Sequence, residues 1–363
     1  MKKQTARLAA RPADYERLEL TDTVQPREDG LHTSGRFGEY EWWYFDSRLE
    51  GGGSLVIVFY SQPMTAAHLG FAPSITFNLT RDGEEIRETL SFKPSECEMS
   101  RDGCRLRFGE CLFEGDQRTY CIRVRGQRVQ AEVRLTANAA PWRPETGHFL
   151  FNEKKYFAWL PSVPEGSMEA EIVADGRTLH LTGSGYHDHN WGNMGMYWLM
   201  HHWYWGRAKV GPYQVISSYI TAREKYGYEH FPIFLLLKDG VKLGDDPRFL
   251  TYTQEEPAFD PVTGKHYHRR LVYDYDDGSQ HIRVTYAAEK IIETFTVHEA
   301  RDSAQAKAGG LLLGIVKLAR LSPSYIRMTG TVTLERFEQG AAVETITAPG
   351  LWEQMYFGLD ADV

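Results

Sequence analysis

Between Gly183 and Gly195 the chain reads GSGYHDHNWGNMG, which places a phenol, two imidazoles, a carboxyl, a carboxamide and an indole at consecutive positions from Tyr186 to Trp191. Each of these groups needs a hydrogen-bond partner once buried. In an extended backbone, successive side chains point to opposite faces. Tyr186, Asp188 and Asn190 then share one face, and His187, His189 and Trp191 the other. One face pairs a phenol with a carboxyl and the other pairs two imidazoles, and either arrangement can move protons. Asp188 is the candidate acid, with Tyr186 as its hydrogen-bonding or relaying partner and His187 or His189 as base. A carboxyl keeps its proton near neutral pH when burial raises its pKa. The plainer alternative is a polar strand end whose histidines cap neighbouring backbone groups.

Walls for such a site are sought among the aromatic residues, which make up 13% of the chain, with 9 Trp and 20 Tyr. They gather in EYEWWYFDS, KKYFAWLP, NWGNMGMYWLMHHWYWG and GLWEQMYFG. These stretches supply the candidate substrate-contacting residues Glu41, Trp42, Trp43, Tyr44, Phe157, Trp159, Asn190, Trp191, Trp203, Trp352 and Tyr356. Aromatic rings also serve as plain core, but the polar atoms of Trp and Tyr suit the wall of a pocket for a large apolar ligand. Trp42, Trp43 and Tyr44 cannot all face one way along a strand, so at least one is packing. Glu41 faces away from Trp42 and Tyr44 and reads equally as a rim charge or a pocket acid.

The elements that position these residues are strands. Residues 1 to 36 show no sustained periodicity and are expected as an extended lead-in. From Tyr40 onward, short alternating segments follow one another, with hairpin turns at RDGE, ADGR, KDG and DDGS. One helix is expected, over Asp302 to Leu321, with Pro323 as its stop. This pattern predicts an all-β protein of two antiparallel barrels with few short helices, over 37–198 and 199–363.

A chain of 363 residues favours two domains over one. The net charge of −8 argues against nucleic acid as a partner. No apolar run reaches the ~18 residues of a membrane span, and the basic N-terminus lacks a signal-peptide core. The protein is expected in the cytoplasm, with at most a weak association with a membrane surface; its oligomeric state stays open. The four cysteines form no CxxC pair and are expected as free thiols. His187, His189, His201 and His202 show no metal-binding spacing, and adjacent histidines on a strand point apart, so no metal site is expected. Lys265, His266 and His268 read as a solvated face. No P-loop, GxGxxG after a strand or GxSxG elbow occurs, so no cofactor is expected.

EYEWWYFDS, YFAWLP, GYHDHNWG and WEQMYFG, in that order across nearly the whole chain, resemble the family of carotenoid hydratases (hydroxyneurosporene synthases). That family's relatives include fungal Diels–Alderase-type cyclases and kievitone hydratase. The resemblance implies two lipocalin-like β-barrel domains in tandem, with the ligand cavity inside or between them. It also implies an apolar small-molecule substrate. The hydratase Tyr and Asp map onto Tyr186 and Asp188, and the upstream Trp maps onto Trp159. Where the hydratases carry a His two residues before that Trp, this chain has Phe157, so one polar group is missing.

Three chemistries stay open. Asp188 could protonate an alkene to start hydration or cyclisation, with Trp faces stabilising the cation. The pocket could instead fold the substrate for a pericyclic reaction and polarise it through Tyr, Trp or Asn donors. Phe157 makes this second route more credible. A lipocalin-like carrier that transforms nothing is the third, and the polar density from Tyr186 to Asn190 weighs against it.

Overall fold

The computed structural model describes residues 5–296 and 323–358. The expected helix over Asp302 to Leu321 lies outside the described residues. The described chain is almost all antiparallel strand and divides into two compact units, Arg7–Gly195 and a second built from Met196 onward. The all-β expectation holds. Among the described residues, no helix is long and apolar enough to cross a membrane.

The first unit is a 13-stranded sheet. Its order runs from Glu84–Ser91 through Ser74–Arg81, Ser54–Gln62 and Tyr40–Leu49, then to Arg177–Gly192, Lys155–Ala174, Val129–Ala137, Thr119–Arg125, Cys111–Gly115, Arg105–Phe108 and Cys97–Met99. Off this path, His148–Phe151 pairs with Lys155–Ala174, and Ala6–Leu8 with His148–Phe151. The first long strand therefore lies against the last, Tyr40–Leu49 on Arg177–Gly192. Tight hairpins join many of the other neighbours, with Asp-Gly at left-handed φ, such as Asp82 at 53° and Gly83 at 79°. That conformation is open to Asp and Gly and resisted by branched residues. The sheet curls until its two ends share one core: Phe59 meets Phe108 and Phe113 at 5.4 and 5.5 Å between ring centres. Each such buried ring contributes on the order of 1.5–3 kcal/mol.

The second unit repeats this plan as a nine-stranded sheet. Met200–Val210, its first strand, pairs with Ala341–Tyr356, its last. Phe234 stacks against Tyr273 and Tyr275 of one distant strand, Lys265–Asp276, 6.2 and 5.8 Å away, so this sheet curls as well. First-on-last pairing explains why the aromatic stretches come in two pairs. EYEWWYF lies beside GYHDHNW, and HHWYWG beside WEQMYF.

Residues 5–36 are not an extended lead-in. Pro12–Leu18 is a helix and Pro26–Asp29 a 3-10 turn. In each, proline occupies the first position. An acidic side chain two residues later (Asp14, Glu28) accepts from the backbone N–H just before the turn, at 3.1 and 2.8 Å. Arg143 then donates to Glu28 at 2.6 Å in a buried ion pair that ties this segment to the loop before His148–Phe151.

Candidate active site

Pairing register sets the two faces of the central motif. Asp188 lies opposite Tyr44, and Asn190 opposite both Trp42 and Trp159. Directly opposed residues share a face. Tyr186, Asp188 and Asn190 therefore stand with Trp42, Tyr44 and Trp159 on the face turned away from the barrel core. His187, His189 and Trp191 stand with Trp43 and Phe45 on the inward face.

On the outward face, Asp188 accepts three hydrogen bonds. Trp159 Nε1 and the Tyr186 hydroxyl each donate to Oδ2 at 2.8 Å, and Asn190 Nδ2 donates to Oδ1 at 2.7 Å. Asp188 is 7% exposed. Burial pushes its carboxyl up to about 6, against the opposing pull of the Trp159, Tyr186 and Asn190 hydrogen bonds and the nearby His187. Trp142 meets Trp159 edge-on at 6.0 Å, and Tyr44 meets Tyr186 edge-on at 6.4 Å. Trp42 and Tyr44 are half-buried. Tyr40 stacks on Trp42 and lies over Gly192, where an added Cβ would fall 2.5 Å from the phenol oxygen. Phe157 is paired with Gly192 and stacks on Phe149 at 5.5 Å.

The inward face is a closed ionic network. Glu41 is neither a rim charge nor a pocket acid on the Asp188 face: it is 0% exposed. It accepts from His189 Nε2 at 2.9 Å and from the backbone N–H groups of His32 and Thr33 at 2.7 and 3.0 Å. His187 bridges the Tyr44 carbonyl (Nδ1, 2.9 Å) and the carboxyl of Asp29 (Nε2, 3.2 Å). Burial favours the neutral forms of Asp29, Glu41 and His187. Even so, the imidazoles hold the Asp29 and Glu41 carboxyls below their ordinary range, and Asp29 holds His187 above its own. Trp43 donates to the Asp29 carbonyl and stacks on His189, and Trp191 stacks on His32 at 3.9 Å. Glu41, Trp43, His187, His189 and Trp191 thus lie on the opposite side of the sheet from Asp188.

Asp29, His32, Thr33, Cys104 and Tyr120, which complete this network, were not anticipated. Asp29 sits in PREDG, where its only local signal is that of a turn. All four cysteines are free thiols. Among the described residues, one group of side chains able to ligate a metal converges: Asp29, Cys104 and His187, with ligand atoms within 4.8 Å of one another.

The remaining candidates belong to the second unit. Trp352 is core, 1% exposed and edge-on to Tyr286. Trp203 packs beside Phe357, and Tyr356 stacks on His202 and lies under the Lys265 ammonium. Lys265 is not on a solvated face; it is buried and donates to the Gly358 carbonyl. His201 and His202 do not point apart. A register shift between Met200 and His202 brings their Nδ1 atoms to 2.9 Å.

A family model for Diels-Alderase-like proteins matches residues 19–279. The chain belongs to the Diels-Alderase-like family. Among curated relatives, it is 27% identical over 241 residues to a hydroxyneurosporene dehydrogenase of Chlorobaculum tepidum, covering 52% of this chain and 57% of that one. It spans little more than half of that relative's length. To a quinolone epoxide rearrangement protein of Emericella nidulans it is 25% identical over 282 residues, covering 71% and 76%. Solved structures share the fold. CghA with Sch210972 superposes with a TM-score of 0.60 at 12% identity, over 93% of this chain and 97% of that one. Kievitone hydratase from Nectria haematococca gives 0.51 at 10%, over 94% and 98%. The lipocalin-like expectation and the family resemblance are both borne out.

Proposed function

We propose that this chain is an enzyme of the isomerase or lyase type that rearranges, cyclises or hydrates an apolar polyene, isoprenoid or polyketide-like small molecule, with Asp188 as the group that gives and takes back the proton. One observation carries this reading: a carboxyl almost closed off from water, with Trp159, Tyr186 and Asn190 all donating to it. Those donors stabilise the carboxylate left behind once the proton has gone, and they are in place beforehand. In a rearrangement or cyclisation, the proton lost by the cationic intermediate returns to Asp188. In a hydration, water adds and its proton returns instead.

A carboxyl whose pKa is raised holds its proton better but gives it up less readily. This favours delivery to an oxygen, such as an epoxide or carbonyl, over delivery to an unactivated alkene carbon. The names of the Emericella nidulans and Penicillium thymicola relatives, quinolone epoxide rearrangement proteins, accord with that class. The half-buried faces of Trp42 and Tyr44 suit a developing cation. Pericyclic templating gains less support, because the donors nearest Asp188 are committed to it rather than to a substrate carbonyl.

The test begins with mass spectrometry of any small molecule that co-purifies, which supplies a substrate or product for assay. Asp188→Asn is expected to lower turnover by about 10²–10⁴-fold. Equal turnover by the variant would overturn the acid role and leave templating. Binding with no conversion of any ligand by the wild-type protein would leave a carrier.

A further inference from the structure

We infer that the interior of the first barrel holds a structural divalent metal ion of the zinc class, ligated by Asp29, Cys104, His187 and His189. This site is separate from Asp188 and stands whether or not the proposed chemistry does. All four residues are at most 3% exposed. The ligand-capable atoms of Asp29, Cys104 and His187 already lie within 4.8 Å of one another.

Hydrogen bonding shows which atoms are left for an ion. The Tyr44 carbonyl only accepts, so His187 Nδ1 carries a proton and Nε2 faces Asp29. Glu41 already accepts two backbone N–H groups as a carboxylate, so His189 Nε2 carries the proton directed at it. That leaves His189 Nδ1 without a hydrogen bond. Asp29 Oδ1 is equally without one, and the two atoms face each other 3.6 Å apart. Asp29 Oδ2 is held by the Tyr120 hydroxyl at 2.5 Å. Metal-bound histidines characteristically donate their second N–H to a carbonyl or carboxylate, which fixes the tautomer. Both histidines here do so, one of each kind.

Charge is compatible with an ion. Asp29 and Glu41 carry two negative charges in a dry interior. With Cys104 as thiolate, a dication leaves one of three, which the Tyr120 hydroxyl and the His32 and Thr33 backbone N–H groups help to hold. A bound dication displaces the Cys104 thiol proton, and any proton on His187 Nε2 and His189 Nδ1, to solvent. Two imidazole nitrogens, one thiolate and one carboxylate oxygen are a donor set suited to tetrahedral zinc. Asp29, Cys104 and His187 already converge, and His189 would close on the ion from beside Asp29. The ion would fasten the N-terminal segment and the bend before Arg105–Phe108 to the last strand of the sheet.

The full chain, produced separately in zinc- and cobalt(II)-supplemented minimal medium and purified without chelator, tests this. About one metal per chain by elemental mass spectrometry is expected. The cobalt protein should show a thiolate-to-cobalt charge-transfer band that disappears in Cys104→Ser. The zinc protein should melt at a higher temperature than protein stripped with chelator in denaturant and refolded. Folded wild-type protein that takes up neither ion would overturn the inference, above all if nitrogen NMR showed His187 and His189 both as imidazolium. Metal uptake with no thiolate band, unchanged in Cys104→Ser, would overturn it too.

Discussion

Asp188 is held between two opposing effects: burial keeps the proton on, and three donors favour its loss. Removing a donor must therefore move the carboxyl upward. Trp159→Phe keeps an aromatic ring, smaller than the indole, and deletes the N–H. A lost hydrogen bond to a charged group is worth about 1.5–3 kcal/mol, or about one to two pKa units, so the Asp188 carboxyl should titrate above its wild-type value of about 6. Carbon NMR of labelled aspartate reads this directly, and an unmoved titration would show that the indole contributes nothing. The same raised pKa has a stability consequence. Its favourable contribution is present below the unfolded value near 3.8 and is lost as pH rises through about 6. Asp188→Asn, with no charge to bury, should be more stable than wild type at pH 8 by about 1–3 kcal/mol and level with it near pH 4, as read by urea unfolding. Turnover by the protonated form should fall as pH rises through about 6.

At the scale of elements, the outward face depends on the close approach of Tyr40 to Gly192. Gly192→Ala would put a methyl within 2.7 Å of both the Tyr40 oxygen and the Tyr156 carbonyl. Overpacking of this kind costs about 1–3 kcal/mol, which urea unfolding should detect; unchanged stability would mean that the strands can part without penalty. Breaking the buried Arg143–Glu28 pair with Glu28→Gln should cost about 3–5 kcal/mol, because it strands the guanidinium. The strands and the Asp-Gly turns were legible in the sequence because period-two alternation and left-handed turn residues are local signals. The two faces of Tyr186–Trp191 were legible for the same reason. Asp29 and Cys104 were not, since what makes them matter is long-range pairing with His187 and its neighbours. The meeting of His201 with His202 depends on a bulge, and a single extra residue in a ladder leaves no mark in an alternation pattern. The short helix over Pro12–Leu18 did leave a trace, Pro followed two residues later by Asp, but it is too brief for periodicity to show.

Across the whole molecule, buried neutral histidines make the fold sensitive to acid. Burial holds His148 in the first unit down to about 4, and His202 in the second down to about 3, with His201 and other histidines adding to the effect. A histidine whose folded pKa lies below the unfolded 6.5 takes up a proton first in the unfolded chain. Stability is therefore full above pH 6.5 and declines as pH falls from there toward 4 and then 3. Each histidine removes on the order of 3–5 kcal/mol once both states are protonated. Urea midpoints measured from pH 8 to pH 4 should fall across that window, and His148→Gln should flatten the first part of the decline. A flat profile between pH 6.5 and 4 would contradict this.

Because each sheet is completed by its opening strand meeting its closing one, neither can assemble in the order in which the ribosome delivers it. Tyr40–Leu49 leaves the exit tunnel with one edge bare, and its partner Arg177–Gly192 follows only after well over a hundred further residues have been made. Contacts so far apart in the chain form slowly, and an unpaired edge is an open invitation to other chains. Nascent chains stalled before residue 177 should therefore depend on chaperones.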